Sequence, residues 1–355
     1  MKTRAAVDVE HGQPLAIEEI ELPDPNEDEV LVELYASGIC HSQLHQIHNP
    51  GLARPLLLGH EATGVVVATG SAVSHVREGD RVMVTWVPRD ITVEYPPVPR
   101  TRFDYRGRTI EGPNIYTWAE HVLAHEQMVI PLADDVSVED TSIIGCATVT
   151  GVGAVLGSAK VQPGDSVAVF GVGGVGINVL AGAQIAKAGR IIAVDLSDEK
   201  LEFAKEFGAT DVVNASEVDP VEAVNDMTGG GVDFSFDAIG AEVTLHQIVE
   251  VAKPGRLGAA RGGTAVIVGI PQGPITFPQG LFPVGERHLI GSLGGSSHPA
   301  EDYPQYVEWY RQGALPLNKM ITKRFNSLDD INEGVRSLEA GEISGRSIMV
   351  YKRPD

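Results

Sequence analysis

Two cysteines and one histidine are the residues of this chain best suited to bind a metal ion. The 355 residues include two cysteines in all, Cys40 and Cys146, and His60 lies between them in the chain. Two thiolates and an imidazole form a three-ligand zinc site that leaves the fourth position free for water or substrate. Mixed sulfur and nitrogen ligands suit zinc well. These residues therefore predict one catalytic zinc.

Each of these residues has a simpler explanation when it is considered alone. A single histidine such as His60 is more often a hydrogen-bonded core residue, and a single cysteine such as Cys146 is more often a small buried side chain. Glycines precede both residues, which allows close packing around a shared site. Glu61 is a fourth ligand, a carboxylate behind the ligands or a buried acid near the cation, and the sequence leaves these three roles open.

A glycine-rich segment near the middle of the chain predicts a dinucleotide site. Gly171-Val172-Gly173-Gly174-Val175-Gly176 follows a short apolar run and begins a predicted helix over 175–188. In that setting the first turn of the helix binds a pyrophosphate. Gly171 permits the sharp turn, Gly173 lets the backbone approach the phosphates, and Gly176 lets the helix pack closely against the strand.

Asp195 follows the next predicted strand, over 190–194, and indicates which dinucleotide binds. Its carboxylate can accept hydrogen bonds from a ribose diol and repels a 2′-phosphate. The sequence therefore favours NAD over NADP. The alternative is a glycine-rich turn with a helix-capping aspartate.

The arrangement of predicted elements separates two kinds of structure, and the chain length suits two domains. Strand-like alternation dominates up to residue 87, whereas strands and helices alternate from about residue 148, which predicts a parallel sheet covered on both faces. Helices are predicted again over 299–313 and 328–339. Residues 87–115 contain five prolines and little periodicity, and we expect them to form a long surface lobe.

Composition excludes several classes of protein. Apolar residues make up 43% and charged residues 21% of the chain, an ordinary soluble composition. The net charge of −21 argues against nucleic acid as a partner. The apolar stretch 167–188 contains five glycines and Lys187, so a buried strand, turn and helix explain it better than a membrane span. Because two distant cysteines are not a disulfide framework and no secretory signal is recognisable, we expect a cytoplasmic protein without membrane partners.

The metal residues and the nucleotide segment, in this order, resemble the zinc-dependent alcohol dehydrogenases of the medium-chain dehydrogenase/reductase superfamily. The resemblance extends to Gly345-Arg346-Ser347 near the end of the chain. It implies an α/β protein with a GroES-like, mostly β catalytic domain, residues 1–147 and 292–355. A Rossmann domain with a doubly wound parallel sheet, residues 148–291, would bind NAD. We also expect one zinc per subunit and a homo-oligomer, with a dimer favoured over a tetramer.

The resemblance also implies roles for individual residues. Ser42 looks like the hydroxyl that takes the substrate proton, His45 like the outer end of a relay through the nicotinamide ribose, and Trp86 like a wall of the substrate pocket. Further residues look like NAD contacts: His41 and Arg346 at the pyrophosphate, Lys200 at the adenosine ribose, and Thr150, Val175 and Val268 at the nicotinamide. The simpler alternatives are a core tryptophan at 86, a surface imidazole at 45 and solvated charges at 200 and 346.

The implied reaction is the reversible oxidation of a primary or secondary alcohol to an aldehyde or ketone, with hydride transfer to NAD. The alternative keeps the fold but retains NAD through turnover, as in an aldehyde dismutase or an acceptor-coupled alcohol oxidoreductase. A zinc-free quinone reductase and a non-catalytic binding protein are both disfavoured by the complete set of metal ligands.

Three features depart from the family pattern. The lobe after Trp86 has no cysteine, so the second, structural zinc that many relatives hold with four cysteines cannot form there. Gln43 stands where the family usually has an aspartate that orients the zinc-bound histidine, and a neutral amide supports an imidazole less strongly. His41 stands where many relatives have arginine.

Overall fold

The structure is a computed structural model that describes residues 1–90, 100–271, 273–278 and 280–353. It divides into two compact units. The first is formed by Met1–Cys146 together with His298–Asp355, and the second by Ala147–Ser297. The boundary predicted between residues 291 and 292 falls inside the second unit.

The described residues form eighteen strands. In chain order they are β1 (Lys2–Asp8), β2 (Ala16–Glu21), β3 (Glu29–Ile39), β4 (Leu56–Leu57), β5 (Glu61–Thr69), β6 (Arg81–Thr85), β7 (Arg102–Tyr105), β8 (Arg108–Glu111), β9 (His121–His125), β10 (Val129–Pro131), β11 (Ser166–Phe170), β12 (Arg190–Asp195), β13 (Asp211–Asn214), β14 (Phe234–Asp237), β15 (Thr264–Ile267), β16 (His288–Gly291), β17 (Ile321–Phe325) and β18 (Arg346–Val350).

The helices are of three kinds. The α-helices are α1 (His41–Ile47), α2 (Val138–Thr141), α3 (Val149–Gly153), α4 (Gly174–Ile185), α5 (Asp198–Ala204), α6 (Pro220–Thr228), α7 (Glu242–Val251), α8 (Pro299–Arg311), α9 (Leu317–Met320) and α10 (Ile331–Glu339). Single turns of 3₁₀-helix cover Glu126–Met128, Lys205–Phe207, Gly294–Ser296 and Leu328–Asp330, and π-helical turns cover Ile144–Thr148 and Ala154–Ala159.

In the first unit, two sheets enclose an apolar core. One sheet has the strand order β4-β1-β2-β7-β8, and the other has the order β10-β6-β5-β3-β18-β17 with β9 paired to β3. Strand β3 ends directly before Cys40, and β5 begins directly after His60. Because β3 and β5 are antiparallel neighbours, the end of one lies beside the start of the other. The sheet thereby brings together two residues that are twenty positions apart in the chain.

The prediction of a long surface lobe over residues 87–115 is wrong for its second half. Strands β7 and β8 form an antiparallel hairpin there, and the side chains of Phe103 and Tyr105 are buried in the core. The alternation of Arg102, Phe103, Asp104 and Tyr105 is a strand pattern, but it is short and follows a run of prolines that suggests a loop. Residues 91–99 of the predicted lobe, with three of its prolines, lie outside the described residues.

The second unit has one six-stranded sheet in the order β13-β12-β11-β14-β15-β16, and every pair is parallel. The chain starts at β11, builds outward to β13 and then returns to continue on the other side from β14. The strand order therefore reverses between β11 and β14, and in such sheets ligands bind at the carboxyl ends of the strands beside this point. Both Gly171, after β11, and Asp195, at the end of β12, lie at that edge.

Local signals define the helices of this unit as the sequence predicts. Ser197 caps α5 by accepting a hydrogen bond of 3.4 Å from the backbone N–H of Lys200. The following 3₁₀ turn ends at Gly208, whose φ of 102° is accessible to glycine at little cost.

One helical stretch of the described residues, Val138–Ala159, is long and apolar enough to cross a bilayer. Its most apolar window is 72% buried inside the protein, and it contains the candidate ligand Cys146, so we interpret it as a core helix. The other apolar stretch, 167–188, holds strand β11, a turn and helix α4 as the sequence predicts.

Candidate metal centre and cofactor site

Cys40, His60 and Cys146 meet in the first unit, and their ligand atoms all lie within 4.8 Å of one another. The two Sγ atoms are 3.9 Å apart, and His60 Nε2 lies 3.0 Å from Cys146 Sγ. In a tetrahedral site, Zn–S bonds of about 2.3 Å place two sulfurs about 3.8 Å apart. Both the chemistry of these donors and their spacing therefore fit a zinc ion with one open position.

Cys146 is positioned by an unusual helix turn. It lies within the π-helical turn Ile144–Thr148, and π-turns inside α-helices are frequent at functional sites because they re-aim a side chain. No periodicity in the sequence distinguishes this turn from an ordinary α-helix.

The electrostatic surroundings favour a thiolate at Cys40. A hydrogen bond from Cys146 lowers the pKa of the Cys40 thiol, and the charge of Arg346 acts in the same direction against the effect of burial. The same hydrogen bond, together with burial, raises the pKa of Cys146. Because metals bind the thiolate, zinc binding by this pair releases a proton.

Glu61 lies behind the ligands, fully buried and paired with Arg346. Burial raises the pKa of Glu61, and the charge of Arg346 opposes that rise. Gly38 provides the room for this carboxylate, because a Cβ at position 38 would overlap Glu61 Oε1. Arg346 is only 4% exposed, so the alternative of a solvated charge is wrong. Its predicted contact with a pyrophosphate stays a prediction.

Gln43 supports His60 from the side opposite the sulfur atoms. Its side-chain amide nitrogen, Nε2, lies 2.6 Å from His60 Nδ1, and a half-turn of the amide group exchanges the nitrogen for the oxygen at this position. A histidine that binds zinc through Nε2 carries its proton on Nδ1 and donates it to a neighbouring acceptor. The Gln43 amide oxygen is buried and has no hydrogen-bond partner among the described residues. The amide oxygen is therefore available for this role, but as a neutral acceptor.

We expect Gln43→Asp to hold zinc more tightly than the natural chain. A carboxylate accepts a stronger hydrogen bond from the imidazole, and changes of such supporting groups alter metal affinity by about 10–100-fold. Competition with a chromogenic chelator measures the affinity directly. Gln43→Leu, which removes the acceptor, is the control and should bind zinc more weakly. Equal zinc affinities in all three proteins would contradict this role.

Helix α1 places three of the predicted residues beside the metal ligands. Ser42 Oγ donates a hydrogen bond of 3.3 Å to Cys40 Sγ. His45 lies one turn further along the same helix, so the two side chains share a face. The rings of His41 and His45 meet edge to face with centroids 5.7 Å apart. Of these residues, His41 is exposed and His45 is half-buried.

Trp86 directly follows strand β6 and lies close to the metal ligands. Its ring centroid is 6.4 Å from that of His60, and it is partly buried against the core of the unit. The sequence offered two explanations for Trp86, a core residue and a wall of the substrate pocket. Both are compatible with the structure, because Trp86 packs against the core and also lies near a metal-ligand candidate.

The glycines of the second unit form a cradle at the first turn of α4. Gly171 has a φ of 85°, and a Cβ at Gly176 would lie 1.9 Å from the carbonyl oxygen of Gly171. A Cβ at Gly173 would meet no atom within 4 Å. Open space in front of unpaired helix N–H groups fits a pyrophosphate, so these residues fit NAD.

Asp195 is fixed to this cradle. Its carboxylate accepts hydrogen bonds from the backbone N–H groups of Val172 at 2.9 Å and Leu196 at 2.8 Å. Lys200 lies in the first turn of α5, where it is half-buried, and Val268 follows β15 at the same carboxyl edge.

Thr150 lies in α3, which packs closely against the first turn of α4. A Cβ at the adjacent Gly151 would lie 2.6 Å from the carbonyl oxygen of Val175. The fold of this unit thus brings the segments of Thr150 and Val175 together.

Sequence reasoning missed two buried residues near the metal-ligand candidates. Thr85 and Tyr303 are fully buried and joined by a hydrogen bond, and Thr85 also donates to the carbonyl oxygen of Gly145. The signal for Thr85 in the sequence is that it is a polar residue at the end of an apolar strand. Tyr303 has no local signal, because its partner is more than two hundred residues away in the chain.

Comparisons with known proteins find relatives for both units. Residues 26–134 match a family model described as alcohol dehydrogenase GroES-like domain, and residues 174–312 match one described as zinc-binding dehydrogenase. An S-(hydroxymethyl)glutathione dehydrogenase from Synechocystis sp. is 35% identical, and an alcohol dehydrogenase class-3 from Cereibacter sphaeroides is 33% identical, each over 99% of this chain and 100% of the relative.

Solved structures agree with these relatives. An alcohol dehydrogenase zinc-binding domain protein from Burkholderia ambifaria is 30% identical with a TM-score of 0.89. A benzyl alcohol dehydrogenase from Acinetobacter calcoaceticus is 27% identical with a TM-score of 0.87. Each similarity covers 99% of this chain and 100% of the solved one.

Proposed function

The chain belongs to the zinc-dependent alcohol dehydrogenases of the medium-chain dehydrogenase/reductase superfamily, and from this membership we propose how its own residues perform the reaction. The protein is an oxidoreductase that couples the oxidation of an alcohol to the reduction of NAD. The observation that carries the proposal is the cluster of Cys40, His60 and Cys146, whose ligand atoms lie within 4.8 Å of one another.

Metal and nucleotide divide the chemistry between them. When bound, zinc supplies Lewis-acid polarisation of the substrate oxygen and NAD supplies the hydride acceptor. Cys40, His60 and Cys146 would hold the metal and leave one position open, while Glu61 and Arg346 form a buried ion pair behind them. The remaining work of the protein is to orient the alcohol and to remove its proton.

Ser42 is the residue that we propose to take the proton from the alcohol. Its hydroxyl lies 3.3 Å from Cys40 Sγ, and thus beside the position that zinc and substrate would occupy. His45, one turn along the same helix and half-exposed, hands the proton on to solvent.

We expect Ser42→Ala to lose far more activity than His45→Ala. Positioned proton transfer contributes about 10²–10⁴-fold to the rate, and Ser42 stands at the reacting oxygen, whereas water can replace a group at the outer end of the path. Steady-state kcat with one alcohol measures both. Equal losses in the two variants would contradict this order of transfer.

The residues that bind NAD are proposed on the same basis. Gly171, Gly173, Gly174 and Gly176 form the cradle for the pyrophosphate, and Asp195 accepts hydrogen bonds from the adenosine ribose. Further contacts are proposed for His41, Thr150, Val175, Lys200, Val268 and Arg346.

The substrate class is proposed from the family and from Trp86. Some relatives are named for S-(hydroxymethyl)glutathione and one for benzyl alcohol, so primary alcohols of these two kinds are the first to test. The indole of Trp86, whose ring centroid is 6.4 Å from that of His60, provides a flat wall that suits planar or unbranched alcohols. Formation of NADH from a panel of primary, secondary and aromatic alcohols tests the function, and failure of every alcohol would exclude it.

We expect Trp86→Ala to widen the acceptance of bulky secondary alcohols. Removing the ring opens space next to the metal ligands, while the matched variant Trp86→Phe keeps an aromatic wall. The ratio of kcat/KM for a bulky and a small alcohol should therefore rise by about tenfold or more in the alanine variant. Space for one additional methylene group in an apolar pocket changes such a ratio by about this much. Unchanged ratios would assign Trp86 to the core alone.

The same proposal includes a homodimer. Strand β16 lies at the edge of the sheet of the second unit, and near it Val284 and Leu293 are exposed by 84% and 80%. An edge strand flanked by exposed apolar side chains is suited to pair with a second copy. Sedimentation analysis should give a dimer that Leu293→Asp weakens, and a monomeric natural protein would contradict this.

A cytoplasmic location is proposed from the two cysteines. Both are metal-ligand candidates with free thiols, and a reducing compartment keeps such thiols from oxidising. Fractionation of cells that express the natural protein tests this, and recovery outside the cytoplasm would contradict it.

A further inference from the structure

The hydroxyl of Thr85 lies at the end of β6, fully buried, and takes part in three hydrogen bonds. It donates to the carbonyl oxygen of Gly145 at 2.7 Å and accepts from the backbone N–H of Val87 at 3.1 Å. The hydroxyl of Tyr303 is 2.9 Å away. Because Thr85 has a single proton, which it gives to Gly145, Tyr303 is the donor in this third contact.

The two backbone partners of Thr85 flank residues of the active site. Gly145 directly precedes the metal-ligand candidate Cys146, and Val87 directly follows Trp86. One side chain therefore ties the turn that carries a metal ligand to the turn that carries the pocket wall. Neither turn can shift freely without breaking a buried hydrogen bond, which is costly in the protein interior.

The strands around this hydroxyl leave little room for alternative positions. Thr85 is directly opposite Glu61 in the pairing of β5 with β6. Gly145 fits into the corner between them, where a Cβ would lie 2.8 Å from the carbonyl oxygen of Val84 and 3.2 Å from the Cβ of Glu61. The turn that carries Cys146 thus lies directly against the backbone of β6.

Tyr303 fixes the orientation of the Thr85 hydroxyl. It lies on α8, is fully buried and packs beside Tyr306, with ring centroids 6.0 Å apart. Burial raises the pKa of Tyr303 well above its usual value, so it keeps its proton and remains a donor. The two chain segments that form the first unit therefore meet at the Thr85 hydroxyl.

We propose that Thr85, oriented by Tyr303, is a positioning residue. It links the position of the zinc ligand Cys146 to the position of Trp86 in the wall of the substrate pocket. Zinc affinity and substrate selectivity then depend on the same three hydrogen bonds and change together. The proposal rests on the proposed roles of Cys146 and Trp86. It gives a reason for a polar residue at a fully buried position.

The test compares Thr85→Val with Thr85→Ser. Valine has nearly the same shape but leaves Gly145 and Val87 without their partner, whereas serine keeps the hydroxyl. Three measurements are made on each protein: zinc affinity by chelator competition, the visible absorption spectrum of the cobalt-substituted protein, and the kcat/KM ratio for a bulky and a small alcohol. The first two report on the metal site without any need for activity.

For Thr85→Val we expect about tenfold weaker zinc binding, an altered cobalt spectrum and a several-fold change in the alcohol ratio, because two buried backbone groups lose their partner. Thr85→Ser should behave as the natural protein does. Tyr303→Phe keeps both backbone contacts of Thr85, so it should fold readily and change zinc affinity and alcohol ratio in the same direction by about two- to threefold. If Thr85→Val does not fold, Tyr303→Phe alone decides.

The proposal would be overturned if Thr85→Val and Tyr303→Phe had the same zinc affinity as the natural protein and the same ratio of kcat/KM for a bulky and a small alcohol. A change in only one of the two properties would also overturn it, because it would show that the two turns move independently. Failure of the natural protein to oxidise any alcohol is a different result. It would contradict the proposed function. The zinc affinity and cobalt spectrum of the variants would still show whether Thr85 positions the turn that carries Cys146.

Discussion

Cys146→Ala is expected to lose its zinc and its alcohol oxidation together. Cys146 supplies one of three ligand atoms that lie within 4.8 Å of one another, and the remaining cysteine and histidine form an incomplete site. A bound zinc ion stabilises the transition state by several kcal/mol, so its loss should lower kcat by at least about 10³-fold. Elemental analysis of the purified variant and NADH formation from an alcohol measure the two losses.

Ser142→Ala is the matched control for this variant. Ser142 is fully buried, four residues before Cys146, and its hydroxyl donates to the carbonyl oxygen of Glu139. This control should keep its zinc and most of its activity. The Cys146→Ala variant should still bind NADH, because the nucleotide cradle is built from other residues. Full activity of Cys146→Ala would mean that the metal assignment is wrong.

Asp195→Gly should change the nucleotide preference from NAD toward NADP. The carboxylate of Asp195 lies at the nucleotide cradle, where it accepts the Val172 N–H at 2.9 Å, and a negative charge there repels a 2′-phosphate. Removing it also removes the hydrogen bonds to the ribose of NAD, and hydrogen bonds to charged groups are worth about 1.5–3 kcal/mol. The ratio of kcat/KM for NADP to that for NAD should rise by about 10²-fold.

Asp195→Asn separates charge from geometry in this experiment. The amide oxygen can still accept from the backbone N–H groups of the loop, so the cradle keeps its shape while the repulsion disappears. We expect the preference to change in the same direction but less than in Asp195→Gly. A natural protein that already prefers NADP, or an unchanged ratio in both variants, would contradict the role of Asp195.

The sequence predicts the dinucleotide site from one short motif, whereas the candidate metal residues come from three separate parts of the chain. Glycine spacing fixes the turn before α4, and the acid at the end of the next strand has a defined distance from it. The metal residues needed one more step, because Cys40 and His60 meet only if β3 and β5 pair as antiparallel neighbours. The alternating pattern of these strands indicated such pairing but did not specify the partners.

Contacts between distant parts of the chain could not be predicted in this way. The pair of Glu61 with Arg346 and the bond between Thr85 and Tyr303 each join residues separated by more than two hundred positions. No local propensity encodes either of them. The hairpin of β7 and β8 was missed for a different reason, since its strands have four residues each and follow a run of prolines.

Removal and return of the metal show whether zinc is required for alcohol oxidation. The protein is treated with a chelator until elemental analysis finds no zinc, and zinc is then added back in steps while alcohol-dependent NADH formation is followed. Activity should disappear with the metal and return in proportion to bound zinc, reaching its maximum at one zinc per chain. Alcohol oxidation by the zinc-free protein, or a requirement for two zincs per chain, would contradict this expectation.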